Sequence, residues 1–389
     1  MSGWSRRRGV RPAAVLLLLV VVLCAGYLAV VGVLRYRVLE LPRPDGGHPV
    51  GRALTDVPAG TPDPDEPRRA VWLWYPADPA GHQGPAVAYA PAGWRAGALP
   101  PALGRGWFVQ DMDRVRSWAR DESAPAPGIR PLIALAPGYG TAPWMYTTLG
   151  EDLASRGYIV ALLVPTTTPS RVVDGEQRTT PPGGQPEPEE IDRLSVDQAA
   201  DMTAMVAALT AERVGPIGGH IDPGRVVLGG HSLGGMAAAL ACEQMDRCAG
   251  SVNLDGPQPA PPAGDRAPRL LIASDHSCAV AVPCDAQGAS AARVDWLVER
   301  HRRSIPDWEV GVAGAGHNSF GDTPFYFTAP PVNDLAGTGD IPADRMRTVT
   351  TTVLAAAAAD LLATGAPPPL PDLLAELPEL EPLPEAPAS

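Results

Sequence analysis

One short motif has the residue types and spacing of a nucleophilic serine. Gly230-His231-Ser232-Leu233-Gly234 lies between an apolar run that predicts a strand and an alanine-rich run that predicts a helix. In a nucleophile elbow the serine sits on a tight turn between strand and helix, and the residues two before and two after it must be very small. Both are glycine here. The motif therefore predicts that Ser232 attacks a carbonyl carbon.

A serine hydroxyl is a weak nucleophile and needs a neighbouring base. Three histidines follow the motif and a plausible acid, at His276, His301 and His317. His301 lies in a charged helical run, which is typical of a solvated surface residue, and His276 precedes a pair of cysteines. His317 stands in a glycine-rich loop directly after the last predicted strand, where its side chain can reach the serine. We predict that His317 is the base.

Two aspartates are candidates for the acid that orients this base. Asp255 follows the predicted strand after the elbow helix, and Asp275 follows the next strand along the chain. Either carboxylate could accept the Nδ1 proton of His317, which is all that the role requires. The pattern alone slightly favours Asp275, because many hydrolases with this order of strands and helices place the acid there.

Two backbone N–H groups must stabilise the oxyanion that forms during the attack. The residue after the nucleophile, Leu233, supplies one of them in sites of this kind. The loop after the predicted strand at 131–136 contains Gly138, Tyr139 and Gly140, an open backbone that can supply the other. We predict that Tyr139 and Leu233 are the donors, and that the chemistry uses no cofactor or metal.

The elements that must position these residues alternate between short apolar strands and helices. This alternation predicts a mostly parallel central sheet with helices on both faces. Together with the serine motif it predicts an α/β-hydrolase fold, preceded by one N-terminal transmembrane helix. The predicted order is a cytoplasmic N-terminus (1–12), a transmembrane anchor or uncleaved signal (13–34), a linker and entry segment (35–67), the catalytic domain (68–364) and a proline-rich acidic tail (365–389). We expect residues 165–190 to form a long polar loop and the tail to be extended or disordered.

The N-terminus predicts the location of the protein. Arg6, Arg7, Arg8 and Arg11 precede an uncharged apolar run at residues 13–34, which as a helix spans about 33 Å, enough to cross a bilayer. Arginines are denser before the run than after it, so we expect a single-pass anchor in the cell membrane with the catalytic domain outside the cytoplasm. The alternative is a cleaved signal peptide and a secreted protein.

The other cysteines and the charge fit an exported enzyme. Cys242 and Cys248 form one closely spaced pair and Cys278 and Cys284 another, and such pairing after an export signal predicts two local disulfides. Free thiols or a zinc site are the alternatives. The net charge of −12 argues against a nucleic-acid partner, which needs clustered Lys and Arg. The expected partners are a small-molecule or lipid ester and the membrane.

Taken together, these motifs resemble the platelet-activating factor acetylhydrolase family of serine esterases, over residues 41–322. The segments that carry the resemblance are LPRP through VG at 41–51, WYP at 74–76, GEDLASRGYIV at 150–160, the serine motif, Asn253-Leu254-Asp255 and His317-x-x-Phe320-x-Asp322. The resemblance implies that Asp255 is the acid. It also implies hydrolysis of short-chain carboxylic esters of lipid or phospholipid type.

The chain departs from that family at two places. Pro137-Gly138 stands where the family usually has His-Gly, and Pro165 and the threonines after it replace a segment rich in acidic residues and histidine. The acyl and leaving-group preference is therefore open. The alternative functions are a polyester or general lipase-like hydrolase with a wider cleft, and a non-catalytic surface binding protein, which predicts a broken triad.

Overall fold

The computed structural model describes residues 10–383, apart from positions 62, 82–83, 96–105, 122, 182, 185, 212–213, 260–265, 276, 278–290, 304–306, 331 and 333–334. The strands are β1 Leu39–Glu40, β2 Val50–Pro58, β3 Arg68–Pro76, β4 Val115–Arg116, β5 Arg120–Asp121, β6 Arg130–Ala136, β7 Ile159–Leu163, β8 Ser170–Val173, β9 Glu176–Thr179, β10 Ile221–His231, β11 Cys248–Leu254, β12 Arg269–Ser274, β13 Trp308–Val312 and β14 Leu380–Pro382. The α-helices are α1 Val10–Arg35, α2 Thr147–Ser155, α3 Pro188–Ala211, α4 Leu233–Gln244, α5 Ala291–Arg303, α6 Ala343–Thr364 and α7 Leu370–Glu376.

The central sheet of the described chain has ten strands in the order β14-β13-β12-β11-β10-β6-β7-β3-β2-β5. The block from β13 to β7 is parallel throughout. From β6 the chain moves to β7 on one side, and from β10 it moves to β11, β12 and β13 on the other. Ligand sites of open α/β sheets form where the order reverses in this way, outside the carboxyl ends of the strands. Here that place is between β6 and β10.

Successive side chains of a strand point to opposite faces of the sheet, which divides the core into two layers. In β6, Ile133 and Leu135 belong to the core cluster on one face, whereas Leu132 and Ala134 belong to the cluster on the other. Helices α2 and α6 cover the first face, and α3 and α4 cover the second. Strands buried on both faces need apolar residues at every position, which explains their continuous apolar runs. This arrangement fits the α/β-hydrolase fold predicted from the sequence.

The tail differs from the sequence-based expectation of an extended or disordered segment. Residues 370–376 form α7, and β14 pairs antiparallel with β13 at the edge of the sheet. Leu373, Leu377 and Leu380 are buried in the core, so three closely spaced leucines hold the segment in place. Pro371 lies in the first turn of α7, where a missing N–H breaks no helical hydrogen bond.

Residues 165–190 also differ from the expected loop, because they contain the hairpin of β8 and β9. Asp174 and Gly175 connect the two strands with positive φ angles of 51° and 79°, and Asp-Gly is a strong signal for such a turn. Arg171 of β8 lies buried with Glu66, and their side chains join through contacts of 2.6 and 2.8 Å. This ion pair attaches the hairpin to the entry segment.

The N-terminal helix α1 agrees in length with the predicted apolar run. Within it, Pro12–Arg35 has a mean hydropathy of 3.0 and is long and apolar enough to cross a membrane. Of the described helices, α6 also satisfies the length and composition criterion, but half of it is buried in the core. Cys242 and Cys248 form a disulfide between α4 and β11, whereas Cys278 and Cys284 lie outside the described residues.

A buried carboxylate connects helix α2 to the segment that follows His317. Asp322 accepts hydrogen bonds from the backbone N–H groups of Thr147 and Thr148, at 3.2 and 3.1 Å, and from the hydroxyl of Tyr89 at 2.7 Å. It therefore caps the N-terminus of α2, where a negative charge is favourable. Burial nevertheless raises the pKa of Asp322 to about 7, against the effect of these hydrogen bonds.

This raised pKa predicts a pH-dependent stability. The folded chain holds the proton of Asp322 up to about pH 7, whereas the unfolded chain releases it near 3.8, so the stabilisation is complete below about pH 4 and is lost as the pH rises to about 7. Asp322→Asn has nearly the same shape and cannot ionise. We expect the free energy of unfolding of the wild type, minus that of this variant, to fall between pH 4 and 7 in urea titrations. A constant or rising difference would contradict this expectation.

Candidate active site

The backbone at Ser232 turns sharply from β10 into α4, with φ of 55° and ψ of −123°. The turn is possible because the flanking residues lack a β-carbon. A Cβ at Gly230 would lie 2.2 Å from the carbonyl oxygen of Gly234, and a Cβ at Gly234 would lie 2.3 Å from that of Ala136. The two glycines of the motif are thus required by close backbone approach.

The structure brings His317 between Ser232 and Asp255. The Nε2 atom of His317 lies 3.0 Å from Ser232 Oγ, and its Nδ1 atom lies 2.7 Å from Asp255 Oδ2. When the carboxylate accepts the Nδ1 proton, the lone pair on Nε2 faces the serine hydroxyl. Asp255 is buried, whereas 49% of the His317 side chain is exposed. The geometry can therefore move a proton from a serine that a substrate can reach.

Asp275, the alternative acid, lies elsewhere. Its carboxylate accepts a hydrogen bond from the N–H of Gly314 at 2.9 Å, and its own N–H donates to the carbonyl of Ala315 at 3.0 Å. Asp275 thus holds the loop that leads to His317, without a contact to the imidazole. His301 is buried beside Glu309 at 3.3 Å, which differs from the solvated surface position expected from the sequence. His276 lies outside the described residues.

A second strained turn presents Asp255 to the histidine. Its φ is 55°, and the side chain of Asn253 closes the turn by accepting from the N–H of Gly256 at 2.8 Å. The backbone N–H and the hydroxyl of Ser274 both donate to the Asp255 carboxylate at 2.8 Å. Burial alone would raise the pKa of Asp255, but the hydrogen bonds and charge of His317, together with Ser274, hold it below its ordinary value.

The loop after β6 passes directly against the serine. A Cβ at Gly138 would lie 3.3 Å from the Cβ of Ser232. The N–H of Gly138 donates to the hydroxyl of Tyr146 at 3.2 Å, so it is engaged within the protein. Leu233 begins α4, where the first backbone N–H groups have no partner inside the helix. The assignment of Tyr139 and Leu233 as oxyanion donors stays a prediction.

Three hydrogen bonds link the loop after β6, the turn at Ser232 and the loop that contains His317. His231 Nε2 lies 2.8 Å from the carbonyl oxygen of His317, so Nε2 carries the proton and donates it. Its Nδ1 atom then accepts from the hydroxyl of Tyr146 at 2.9 Å, which itself accepts from Gly138. Burial, with a smaller effect of His317, lowers the pKa of His231 to about 3. The imidazole of His231 therefore stays neutral and keeps this one tautomer.

An apolar cluster lies beside the serine. Leu233 and Met236 of α4 pack with Ile191 of α3, and Tyr139 and Trp296 contact the same cluster. Ile191, Leu233 and Met236 are buried, whereas Tyr139 and Trp296 are partly exposed at the border of the cluster. In the described part of the chain, no group of three or more His, Cys, Asp or Glu side chains is arranged to hold a metal ion.

No local pattern in the sequence indicated a role for Ser274, Tyr146 or His231. A small hydroxyl residue at the carboxyl end of a buried strand, as at Ser274, is a signal that could have found the first of them. Tyr146 gives no such signal, because it lies far from His231 in sequence and meets it only through the fold.

Comparison with solved structures supports an esterase. A ferulic acid esterase from Streptomyces cinnamoneus has 27% sequence identity and a TM-score of 0.69, over 88% of this chain and 99% of that chain. No family model and no curated protein sequence matches the chain. Matches extend to 537 solved chains, and a fold so widely shared does not by itself give a substrate.

The similarity supports a carboxylic ester hydrolase of the α/β-hydrolase type. It gives no support to the narrower resemblance to platelet-activating factor acetylhydrolases.

The hydrogen bonds of His231 predict how its variants behave. Gln at this position can donate to the His317 carbonyl and accept from Tyr146, whereas Leu can do neither and leaves both groups unpaired in the interior. We expect His231→Leu to lower kcat on a water-soluble ester about 10- to 100-fold, because a misplaced catalytic group costs about that much. His231→Gln should recover most of the loss, with KM changed little in both. Equal activity of the two variants would contradict a positioning role.

Proposed function

We propose that the protein is a carboxylic ester hydrolase that acts through Ser232, His317 and Asp255. The observation that carries the proposal is the continuous chain of hydrogen bonds from the Ser232 hydroxyl through His317 to the buried Asp255 carboxylate. It lies at the carboxyl edge of the sheet, at the point where the strand order reverses. A non-catalytic binding protein has no need of this chain or of the strained turn at Ser232.

The reaction follows from the positions of these groups. Ser232 Oγ attacks the ester carbonyl carbon while His317 Nε2 takes the hydroxyl proton. The N–H groups of Tyr139 and Leu233 stabilise the negative oxygen of the tetrahedral intermediate. His317 then gives the proton to the leaving alkoxide, which departs as the alcohol and leaves an acyl group on Ser232. Water, deprotonated by His317, releases the carboxylic acid and restores the serine.

The substrate that we propose is a short-chain ester of lipid or phospholipid type. Support comes from the apolar cluster beside Ser232 and from α1, which we propose anchors the enzyme in the membrane with its catalytic domain outside the cytoplasm. A second candidate is an ester of an aromatic acid such as ferulic acid, favoured by the similarity to the ferulic acid esterase and by Tyr139 and Trp296 in the same cluster. The values of kcat/KM for methyl ferulate and for a short-acyl phosphatidylcholine distinguish the two.

Ser232→Ala tests the nucleophile. Without the hydroxyl no acyl-enzyme forms, so we expect turnover of p-nitrophenyl acetate to fall on the order of 10⁶-fold, to the level left by the oxyanion donors and binding. A fluorophosphonate probe should label the wild type and not the variant. Circular dichroism should show equal folding. Full turnover by a folded Ser232→Ala variant would refute the proposed function.

The pair Asp255→Asn and Asp275→Asn tests the acid. Asn at 255 cannot hold the imidazole in the productive tautomer, and in a serine protease the corresponding change lowers kcat on the order of 10⁴-fold. We expect a loss of similar size for Asp255→Asn. Asp275 contacts the loop before His317 and not the imidazole, so Asp275→Asn should change activity little. The reverse order of the two losses would show that Asp275 is the acid.

A further inference from the structure

The apolar helix α1 does not project freely from the domain. Its C-terminal end packs against two loops, which contain residues 106–110 and 323–330. The carbonyl of Arg35, the last residue of α1, accepts from the N–H of Asp111 at 3.1 Å and from the Gln110 side chain at 3.1 Å. The same amide donates to the carbonyl of Arg37 at 2.9 Å. Because the carbonyls at a helix end lack partners within the helix, these bonds attach α1 to the domain in one orientation.

The two loops pair with each other beneath the helix. Gln110 donates its N–H to the carbonyl of Phe327 at 2.7 Å, and Ala329 donates to Phe108 at 2.8 Å. The indole of Trp107 packs on Gly32, where a Cβ would lie 3.3 Å from the ring. Further up the helix, the hydroxyl of Tyr27 contacts the carbonyl of Pro330. The segments 106–110 and 323–330 contain no charged residue.

The contact between Tyr27 and Pro330 shows how far along α1, and so how deep in a membrane, the second loop reaches. Eight residues separate Tyr27 from Arg35, which corresponds to about 12 Å along a helix. Residues 12–30 of α1 are exposed, as expected of a helix that lipid surrounds. With Arg35 at the level of the headgroups, Pro330 reaches the boundary of the acyl chains. Trp107, which is 42% exposed, lies near the Arg35 guanidinium, 5.9 Å away, where aromatic side chains favour the interface.

The same loop leads to the active site. Residues 321–338 leave the segment that begins at His317 and return to it, because Asn318 donates its N–H to Gly337 and its side-chain amide to Ala336, both at 2.8 Å. From Pro330 to Gly337 the chain spans at most about 25 Å. Leu335, on the returning part, is 59% exposed. Pro330, which contacts α1, and His317, which lies beside Ser232, are therefore joined by one short stretch of described backbone, residues 317–330.

We propose that the exposed or partly exposed side chains of Trp107, Phe327, Pro330 and Leu335 form a membrane-contact surface that holds the active site at the lipid bilayer. The substrate is then an ester carried by an amphiphile dissolved in that bilayer, which enters from the lipid side and not from bulk water. This inference rests on the proposed ester hydrolysis and on α1 as a membrane anchor. It adds which face of the domain meets the lipid.

The contact can be measured without any activity. The full chain, with Cys24→Ser, Cys278→Ser and Cys284→Ser as background, carries Pro330→Cys or Ile129→Cys, labelled with an environment-sensitive fluorophore in phosphatidylcholine vesicles. Ile129 is 69% exposed. It precedes β6 and so lies at the amino ends of the parallel strands, whereas Ser232 lies at their carboxyl ends. We expect nitroxide lipids to quench the label at 330 at least threefold more than the label at 129. Equal quenching would overturn the proposal, as would a label at 330 that is shielded from water but not quenched by lipid, which indicates a protein partner.

Activity then tests the route of the substrate. We expect Trp107→Asp and Pro330→Asp to lower turnover of a short-acyl phosphatidylcholine in vesicles at least tenfold, with p-nitrophenyl acetate turnover within twofold of the wild type. Ile129→Asp should change neither. Equal losses on both esters, or no loss on the vesicle ester, would overturn the proposal. A wild type inactive on both esters would instead refute the ester hydrolase function, while the quenching still reports on the surface.

Discussion

The turn at Ser232 is the constraint on which the site depends, because a non-glycine residue is held there at positive φ. Such a conformation costs about 1–3 kcal/mol and persists only when the surroundings fix it. The N–H of Ser232 donates to the carbonyl of Leu254 at 2.8 Å, and a Cβ at Gly256 would lie 2.1 Å from the Ser232 carbonyl oxygen. The end of β11 therefore holds the turn through this hydrogen bond, while Gly230 and Gly234 leave room for the close approach of the backbone.

The groups around this turn come from separate loops that meet at one edge of the sheet. Parallel strands carry their carboxyl ends to the same side, so the loops after β6, β10, β11 and β13 converge there. The neutral His231 ties two of them together from the inside through Tyr146 and the His317 carbonyl. His317 is half exposed, whereas the Asp255 carboxylate that it contacts is buried. The imidazole beside Ser232 is therefore open to solvent, while the carboxylate behind it is shielded.

The peripheral elements connect this centre to the rest of the chain. Asp322 holds the segment after His317 on the N-terminus of α2, and the same segment continues to the loop that contacts α1. The contact of Tyr27 in α1 with Pro330 is thus linked to His317 by one short stretch of backbone. The tail adds β14 to the sheet beside β13. It thereby covers the free side of β13, which would otherwise be open to pairing with another chain.

The sequence by itself determined the elements whose signals are local: the glycines around Ser232, the alternation of apolar strands with helices, and the length of the apolar run in α1. The local pattern could not choose between Asp255 and Asp275, because both follow a short apolar strand, and only the family resemblance favoured Asp255. The tertiary structure separates them, since His317 Nδ1 lies 2.7 Å from Asp255 Oδ2 and Asp275 is bonded to Gly314 instead. The contacts of Ser274, Tyr146 and the tail were hidden for the same reason: each joins residues distant in sequence, and only packing brings them together.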